Sequence, residues 1–287
     1  MTTGRHIRTW FEGRWHEGNL PVMRAADHGA WLGTSVFDGA RYAYGLAPDL
    51  VAHCRRLNES ARALRIRPVL SAEEMAEIVW EGLRLYPPGA AVYIRPMAWA
   101  LESEHMMVLH RHGPTGFCIC LEEVPMPPDD AAVRLTTTRF HRPVLADNLT
   151  DAKAGCLYPN NARMLAEARD KGFDNALVAD ALGNVAETAT SNVFMVKDGV
   201  AMTPIANGTF LAGITRARHI SNLRAAGVEV RESVLSFDDM RAADEVFLTG
   251  NLSKITPVTA FDDVVYPPGP VAARARALYW EWARDTA

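Results

Sequence analysis

The chain has 287 residues, 48% of them hydrophobic, with 30 basic against 34 acidic side chains and a net charge of −4. That length and apolar content suffice for a large core, and two compact halves are expected. Lys and Arg are scattered rather than clustered, so the basic stripe of a nucleic-acid binder is missing and a small soluble partner is favoured.

No apolar run approaches the roughly 20 residues that a membrane-spanning helix needs. The opening Met1-Thr2-Thr3-Gly4-Arg5-His6 leads into no apolar stretch, so a cytoplasmic protein without a membrane role is expected. Cys54, Cys118, Cys120 and Cys156 set no disulfide framework in so long a chain and are expected as free thiols, mostly packed.

In chain order, Trp10 to Trp15 reads as a hairpin turning at Glu12-Gly13, and residues 33–42 read as one strand bounded by glycines. Asp49 is placed to cap a helix whose Leu50, Leu57 and Leu64 recur every seven residues, with Cys54 and Ala61 beside them and Arg55, Arg56 and Glu59 on other faces. Ser71-Ala72-Glu73-Glu74 is a capping box ahead of a second helix through Met75, Ile78, Val79 and Leu83, stopped by Pro87-Pro88-Gly89. Residues 91–100 and 116–124 are β-rich runs, so the first half reads as α+β with helices on one face of a sheet.

Pro125-Met126-Pro127-Pro128-Asp129-Asp130 suits neither an interior helix nor a central strand, because proline removes backbone donors. It is read as a linker at 125–130, dividing a small domain, 1–124, from a larger one, 131–287. The second half reads as mixed: a helix over 161–171 ended by Gly172, a strand over 176–179, and a hairpin turning at Lys197-Asp198-Gly199. A helix over 213–226, a strand over 228–231, a short helix capped by Ser236 and Asp239, and a buried strand over 245–250 follow.

Lysine is scarce: four residues, against 26 arginines. Lys171 suits a helix C-terminus and Lys197 an exposed turn. Lys153, in Asp151-Ala152-Lys153-Ala154-Gly155, has neither the apolar neighbours of ordinary core nor the charges of a solvated face. It is either a surface lysine or a partly desolvated nucleophile. Leu211-Ala212-Gly213-Ile214-Thr215-Arg216 runs through a glycine into a helix N-terminus, where free N–H groups and a hydroxyl favour a phosphate, and Gly250-Asn251-Leu252-Ser253 is read as repeating that arrangement. Glu187 stands in an uncharged stretch before the apolar run 193–196; it is either a turn carboxylate or the partner of a cation such as a protonated pyridine nitrogen.

Taken together, Asp151 to Tyr158, Gly183 to Thr188 with Ser191-Asn192-Val193-Phe194, Leu211 to Arg216 and Gly250 to Val258 resemble, in order and spacing, the motifs of fold-type IV pyridoxal-phosphate enzymes. Gly33 to Arg41 and Tyr93-Ile94-Arg95-Pro96 resemble the branched-chain amino-acid aminotransferase branch of class IV aminotransferases. The resemblance covers nearly the whole chain. It implies a two-domain α+β fold with pyridoxal 5′-phosphate in the interdomain cleft, and a homodimer in which the loop at Ala30, Trp31 and Leu32 reaches a neighbouring site.

It further implies that Lys153 holds the cofactor as a Schiff base, that Tyr158 bonds the phenolic oxygen and that Glu187 pairs with the ring nitrogen. Arg56, Ile214, Thr215 and Asn251 would hold phosphate, Phe37, Tyr93 and Arg95 would surround the substrate, and the N–H groups near Asn251 and Leu252 would receive its carboxylate. Two positions depart from the family pattern: Leu32 replaces the usual tyrosine, which weakens recognition of a second carboxylate, and Asn251 replaces the usual threonine. The implied reaction moves an amino group from a branched-chain or other apolar amino acid to 2-oxoglutarate.

Other pockets on the same fold would give a D-amino-acid transaminase, an (R)-selective amine transaminase or an aminodeoxychorismate lyase. A non-enzymatic binder of small acids is a further alternative, against which the joint presence of Lys153, Tyr158 and Glu187 argues. His105, His110, His112, Cys118 and Cys120 fit no standard zinc spacing, so no metal is expected. Hydrolase and nucleotide motifs are absent as well.

Overall fold

The computed structural model describes residues 4–102, 108–110 and 113–286, so His105 and His112 lie outside the described residues. Two compact units divide the chain. The first takes the described residues up to Met126 and Ala152–Leu157, and the second takes Pro127–Asp151 and the chain from Tyr158 onward. The lysine-bearing segment Ala152–Leu157, which the sequence placed in the larger domain, packs with the first unit. Local bonding explains it: Lys153 N–H donates to Ser60 Oγ at 3.0 Å, the Lys153 carbonyl accepts from Phe37 N–H at 3.1 Å, and Val36 bridges to Ala154.

Alternating apolar residues build the sheet of the first unit. Its described strands are β1 (Arg5–Phe11), β2 (Arg14–Glu17), β3 (Ser35–Phe37), β4 (Ala40–Tyr42), β5 (Val92–Ala100) and β6 (Thr115–Glu123), in the order β2-β1-β6-β5-β3 with β4 also on β5. The β1–β2 hairpin turns where predicted, with Glu12 at φ 49° and Gly13 at φ 82°, the left-handed pair that a tight hairpin needs.

The strand expected over 33–42 is two strands, broken at Asp38-Gly39. The Asp38 side chain is fully buried and accepts from His53, Arg56 and the Gly39 N–H, which pulls the backbone out of the ladder.

The described α-helices of this unit are α1 (His28–Trp31), α2 (Leu50–Ala63) and α3 (Ala72–Leu83). Leu50, Cys54, Leu57 and Ala61 of α2 are buried against Met75, Val79 and Leu83 of α3 and against Val92, Ile94 and Ala98 of β5. The Ser71–Glu74 capping box is present, whereas α2 starts differently from expectation. Asp49 at its N-cap has a left-handed φ of 57° and makes no side-chain capping bond. Cys54, Cys118 and Cys120 are buried, Cys156 is exposed, and all four are free thiols.

In the second unit, the described strands are β7 (Val133–His141), β8 (Asn175–Ala179), β9 (Val185–Thr188), β10 (Asn192–Lys197), β11 (Val200–Pro204), β12 (Val230–Ser233), β13 (Glu245–Gly250), β14 (Lys254–Phe261) and β15 (Val264–Val265). They form one mixed sheet in the order β12-β11-β10-β13-β14-β7-β8-β9, with β15 on β14. Its helices are α4 (Tyr158–Asp170), α5 (Ile214–Ala225), α6 (Phe237–Arg241) and α7 (Pro270–Asp285). α4 begins three residues before the predicted start because Pro159 is tolerated in a first turn. Strands and helices side by side make the chain α+β, and no described helix is long and apolar enough to cross a membrane.

Candidate active site

In the first unit, α2 gathers the groups around Lys153. Ser60 receives the Lys153 N–H, and Arg56, one helical turn earlier, lies on the same face. The neighbours of Lys153 are small for packing reasons: Ala152 and Ala154 are buried, and a Cβ on Gly155 would stand 2.7 Å from Ser35 Oγ. The Lys153 ammonium lies 5.1 Å from the centre of the Phe37 ring, so sequence-distant Phe37 and Lys153 are brought together.

Arg56 is held by two charge-assisted bonds to Asp38, at 2.7 and 2.8 Å, and His53 Nδ1 lies 2.7 Å from Asp38 Oδ1. Burial opposes the charge on Asp38, yet the Arg56 guanidinium and His53 prevail and hold its carboxyl well below the usual carboxylate range. The bidentate geometry fixes the Arg56 fork in direction as well as charge state.

Tyr93 and Arg95 alternate on β5 with buried Val92 and Ile94, so they point away from α2 and α3. Phe37 pairs with Met97 across the sheet and shares that face. Arg95 stacks 5.8 Å from the Tyr93 ring centre, and its Nη2 donates to the Glu122 carboxylate. The substrate residues that the resemblance implies in this unit therefore lie on one sheet face with the lysine's aromatic neighbour.

In the second unit, Glu187 lies on β9 rather than in a turn, opposite Val178 of β8. Its Oε1 is 3.1 Å from Arg142 Nε, and its Oε2 accepts from Asn192 Nδ2 at 3.1 Å. Arg142 also donates to Asn161 Oδ1 at 2.6 Å and to the Thr188 carbonyl at 2.8 Å, tying Glu187 to α4. Tyr158, the first residue of α4, stands one turn before Asn161 and is 36% exposed. Its ring is open enough to meet a ligand.

Asn192 carries the link onward. Its Nδ2 lies 3.3 Å from the Leu211 carbonyl, and its Oδ1 comes so close to Gly213 that a Cβ there would be 2.1 Å away. Gly213 is the N-cap of α5, which makes Ile214 and buried Thr215 its first residues. Free N–H groups and the positive end of the helix dipole meet there, an arrangement suited to an anion.

The turn at Gly250-Asn251-Leu252-Ser253 does not lead into a helix, contrary to expectation. It joins β13 to β14, with Gly250 paired to Lys254 and Lys254 at a left-handed φ of 64°. A hairpin results because Ile255 to Val258 pair in register with Thr249 to Val246 of β13, a strand contact that the turn residues alone do not specify. The turn still borders the same region: Asn192 pairs with Thr249, and a Cβ on Gly250 would be 3.1 Å from Ser191 Oγ. Asn251 Oδ1 accepts from Lys254 Nζ at 2.6 Å.

The sequence reading missed Asp38, His53, Glu122, Arg142 and Asn192 as positioning groups. Only His53 and Arg56, three apart on a predicted helix, gave a local signal. Among the described residues, no group of three or more histidine, cysteine or carboxylate side chains is placed to hold a metal ion.

A family model for class IV amino-transferases matches residues 35–261. A branched-chain-amino-acid aminotransferase of Salmonella typhimurium is 31% identical over 298 residues, covering 98% of this chain and 94% of that protein. A putative enzyme of the same name from Methanocaldococcus jannaschii is 34% identical over 260 residues, covering 89% and 88%. The crystal structure of an aminotransferase from Brucella abortus bound to pyridoxal phosphate is 52% identical, with a TM-score of 0.96 over 98% of this chain and 100% of that one. The branched-chain aminotransferase of Thermoproteus uzoniensis with norvaline is 28% identical with a TM-score of 0.88, covering 96% and 94%.

Pyridoxal 5′-phosphate is the cofactor, and the donor set fits it. The chain offers an amine beside an aromatic ring, a carboxylate held in place for a cationic ring nitrogen, and a helix N-terminus at a glycine that admits no side chain. The protein is a transaminase with the two-domain α+β fold of the fold-type IV enzymes, and it belongs to the class IV aminotransferases.

Proposed function

We propose that the enzyme moves an amino group from a branched-chain or other apolar amino acid to 2-oxoglutarate, with Lys153 as the residue that binds the cofactor and carries the proton. The observation that carries this reading is the Lys153 ammonium against the Phe37 ring, on a sheet face whose other residues near it include Met97 and Tyr93. An apolar wall beside the reacting amine suits an apolar side chain.

The roles follow from the chemistry of each group. Bound pyridoxal phosphate supplies an electron-withdrawing ring conjugated to the substrate nitrogen. Glu187, fixed by Arg142 and Asn192, would pair with the protonated ring nitrogen. Tyr158 is the hydroxyl donor for the phenolic oxygen. Arg56 and the N-terminus of α5 at Ile214 and Thr215 hold the phosphate, with Asn251 completing the cradle. The Lys153 amine would take the proton from the substrate's Cα and deliver it to the carbon on the far side of the substrate nitrogen, the 1,3-shift that transamination requires. N–H groups at Asn251 and Leu252 receive the substrate carboxylate. These roles require both sets of residues to serve one cofactor.

A cytoplasmic homodimer completes the reading. Supporting the dimer are Trp31, the last residue of α1 rather than a loop residue, 51% accessible, and its C-cap Leu32, 36% accessible, an exposed apolar helix end of the kind that subunit contacts cover. The test is a set of half-reactions with L-leucine, D-alanine and (R)-1-phenylethylamine, following loss of the cofactor's visible absorbance. L-Leucine should react fastest. Rapid reaction of the amine alone would overturn the substrate assignment and leave fold and cofactor intact.

A further inference from the structure

Arg95 is not left to the substrate alone. Its Nη2 donates to Glu122 Oε1 and lies 3.6 Å from Cys120 Sγ, and Glu122 Oε2 accepts the Gly4 N–H at 3.0 Å. The register explains the meeting: Cys120 stands directly opposite Arg95 on β6, and Glu122 stands opposite Tyr93, so all four side chains share one sheet face. The Glu122 side chain is 8% exposed and that of Arg95 31%, so the pair is only partly screened by water. Burial pushes the Glu122 carboxyl up, but the Gly4 N–H and Arg95 bring it below its ordinary value, so it is ionised at neutral pH.

An arginine aimed at a substrate pocket would ordinarily recruit a second carboxylate through a bidentate bond. An ionised partner changes that balance: the guanidinium is largely neutralised, and an incoming carboxylate meets the Glu122 charge as well. This face also carries Met97 and Phe37, the latter in contact with the Lys153 ammonium. The surroundings of Arg95 are thus apolar on one side and charge-balanced on the other.

We infer that Glu122 is a specificity-determining residue: paired with Arg95, it lets the side-chain pocket accept an apolar group and hold a second carboxylate only weakly. The inference rests on the reading of Arg95 as a substrate residue. A site that takes an apolar donor and a dicarboxylate acceptor in turn needs such a compromise, because a bare arginine would favour the dicarboxylate at both steps.

The test uses the holoenzyme and two unreactive acids, glutarate and hexanoate, with dissociation constants read by titration of the cofactor's absorbance and by calorimetry. Glu122→Gln should bind glutarate roughly ten-fold more tightly, the scale of a nearby charge at a partly exposed site. Hexanoate should change by less than about two-fold, and Glu122→Asp, which keeps the charge, should leave the ratio near that of the wild type. If Glu122→Gln does not fold, Glu122→Met reads the same ratio. An unchanged ratio, or weaker glutarate binding, in the charge-free variant would overturn the inference. Arg95→Gln separates the two readings. If it leaves glutarate binding untouched, the assignment of Arg95 to the substrate fails. If it abolishes glutarate binding while Glu122→Gln changes nothing, only the role of Glu122 fails.

Discussion

Asn192 holds the Glu187 carboxylate through Nδ2 at 3.1 Å while its Oδ1 presses against Gly213, so one side chain sets both the carboxylate on β9 and the start of α5. Because Nδ2 faces Glu187, Oδ1 must face Gly213, and neither end can move without the other.

Gly213→Ala tests that coupling. The added Cβ would meet Asn192 Oδ1 at 2.1 Å, forcing Asn192 away from Glu187 or shifting the helix start. Cofactor affinity, measured by fluorescence titration of the apoenzyme, should fall about ten-fold or more, as expected when a buried bond and an anion site are disturbed together. Unchanged affinity would mean that the α5 terminus does not hold the phosphate.

Glu187→Gln keeps the size of the side chain and its bond to Asn192 but removes the charge. The variant should retain cofactor, and its half-reaction with the amino donor should slow by roughly 100-fold, the scale for losing one preorganised electrostatic partner. A half-reaction within two-fold of the wild type would reduce Glu187 to a structural residue.

Asp38 links His53 and Arg56 in a buried cluster, so Asp38→Ala leaves two polar groups without their partner. Stability to urea should drop by about 3 kcal/mol or more. The wild-type pair also has a pH signature. A carboxyl held below its unfolded value contributes stability that is present above the ordinary carboxylate range and is lost as the pH falls through its folded-state value. Asp38→Asn should therefore show a weaker loss of stability between pH 5 and about 3 than the wild type. Equal pH slopes would contradict the ion pair.

His219 is enclosed beside the Tyr279 ring, and its Nε2 lies 3.2 Å from the Lys254 carbonyl, which only an N–H can satisfy. Burial pulls its value down to about 3. The unfolded chain therefore binds a proton that the folded one refuses, and stability should fall as the pH drops below about 6.5. Between pH 7 and 5 the loss should be about 2 kcal/mol, and it should shrink in His219→Gln. A wild-type stability that is flat across this interval would show that His219 is protonated in the folded protein.

Much of this arrangement was legible in the sequence because its signals are local. The hairpin at Glu12-Gly13, the capping boxes at Ser71 and Ser236, and the glycine before α5 each depend on residues within one turn of one another. The scarcity of lysine isolated Lys153 before any contact was known. Long-range bonding stayed hidden. Nothing near Asp38 shows that its carboxylate will meet α2 and break a strand, and β7, in which only Leu135 and Thr136 are buried, offers no apolar alternation to read. Lys153 joins the first unit through Ser60 and Phe37, partners 93 residues away in one case and more than a hundred in the other, so no boundary drawn at prolines could capture it. The Gly250 turn misled because glycine followed by small polar residues precedes helices and hairpins alike. Only the strand pairing of Gly250 with Lys254 decides between them.

The proposed transamination depends most on the chemistry of Lys153. Reducing the cofactor-loaded protein with borohydride and mapping the labelled peptide by mass spectrometry should place the pyridoxyl group on Lys153 alone, and Lys153→Ala should lose both the label and the visible absorbance. A label on Lys254, on any other lysine, or no label on a protein that contains pyridoxal phosphate would contradict it.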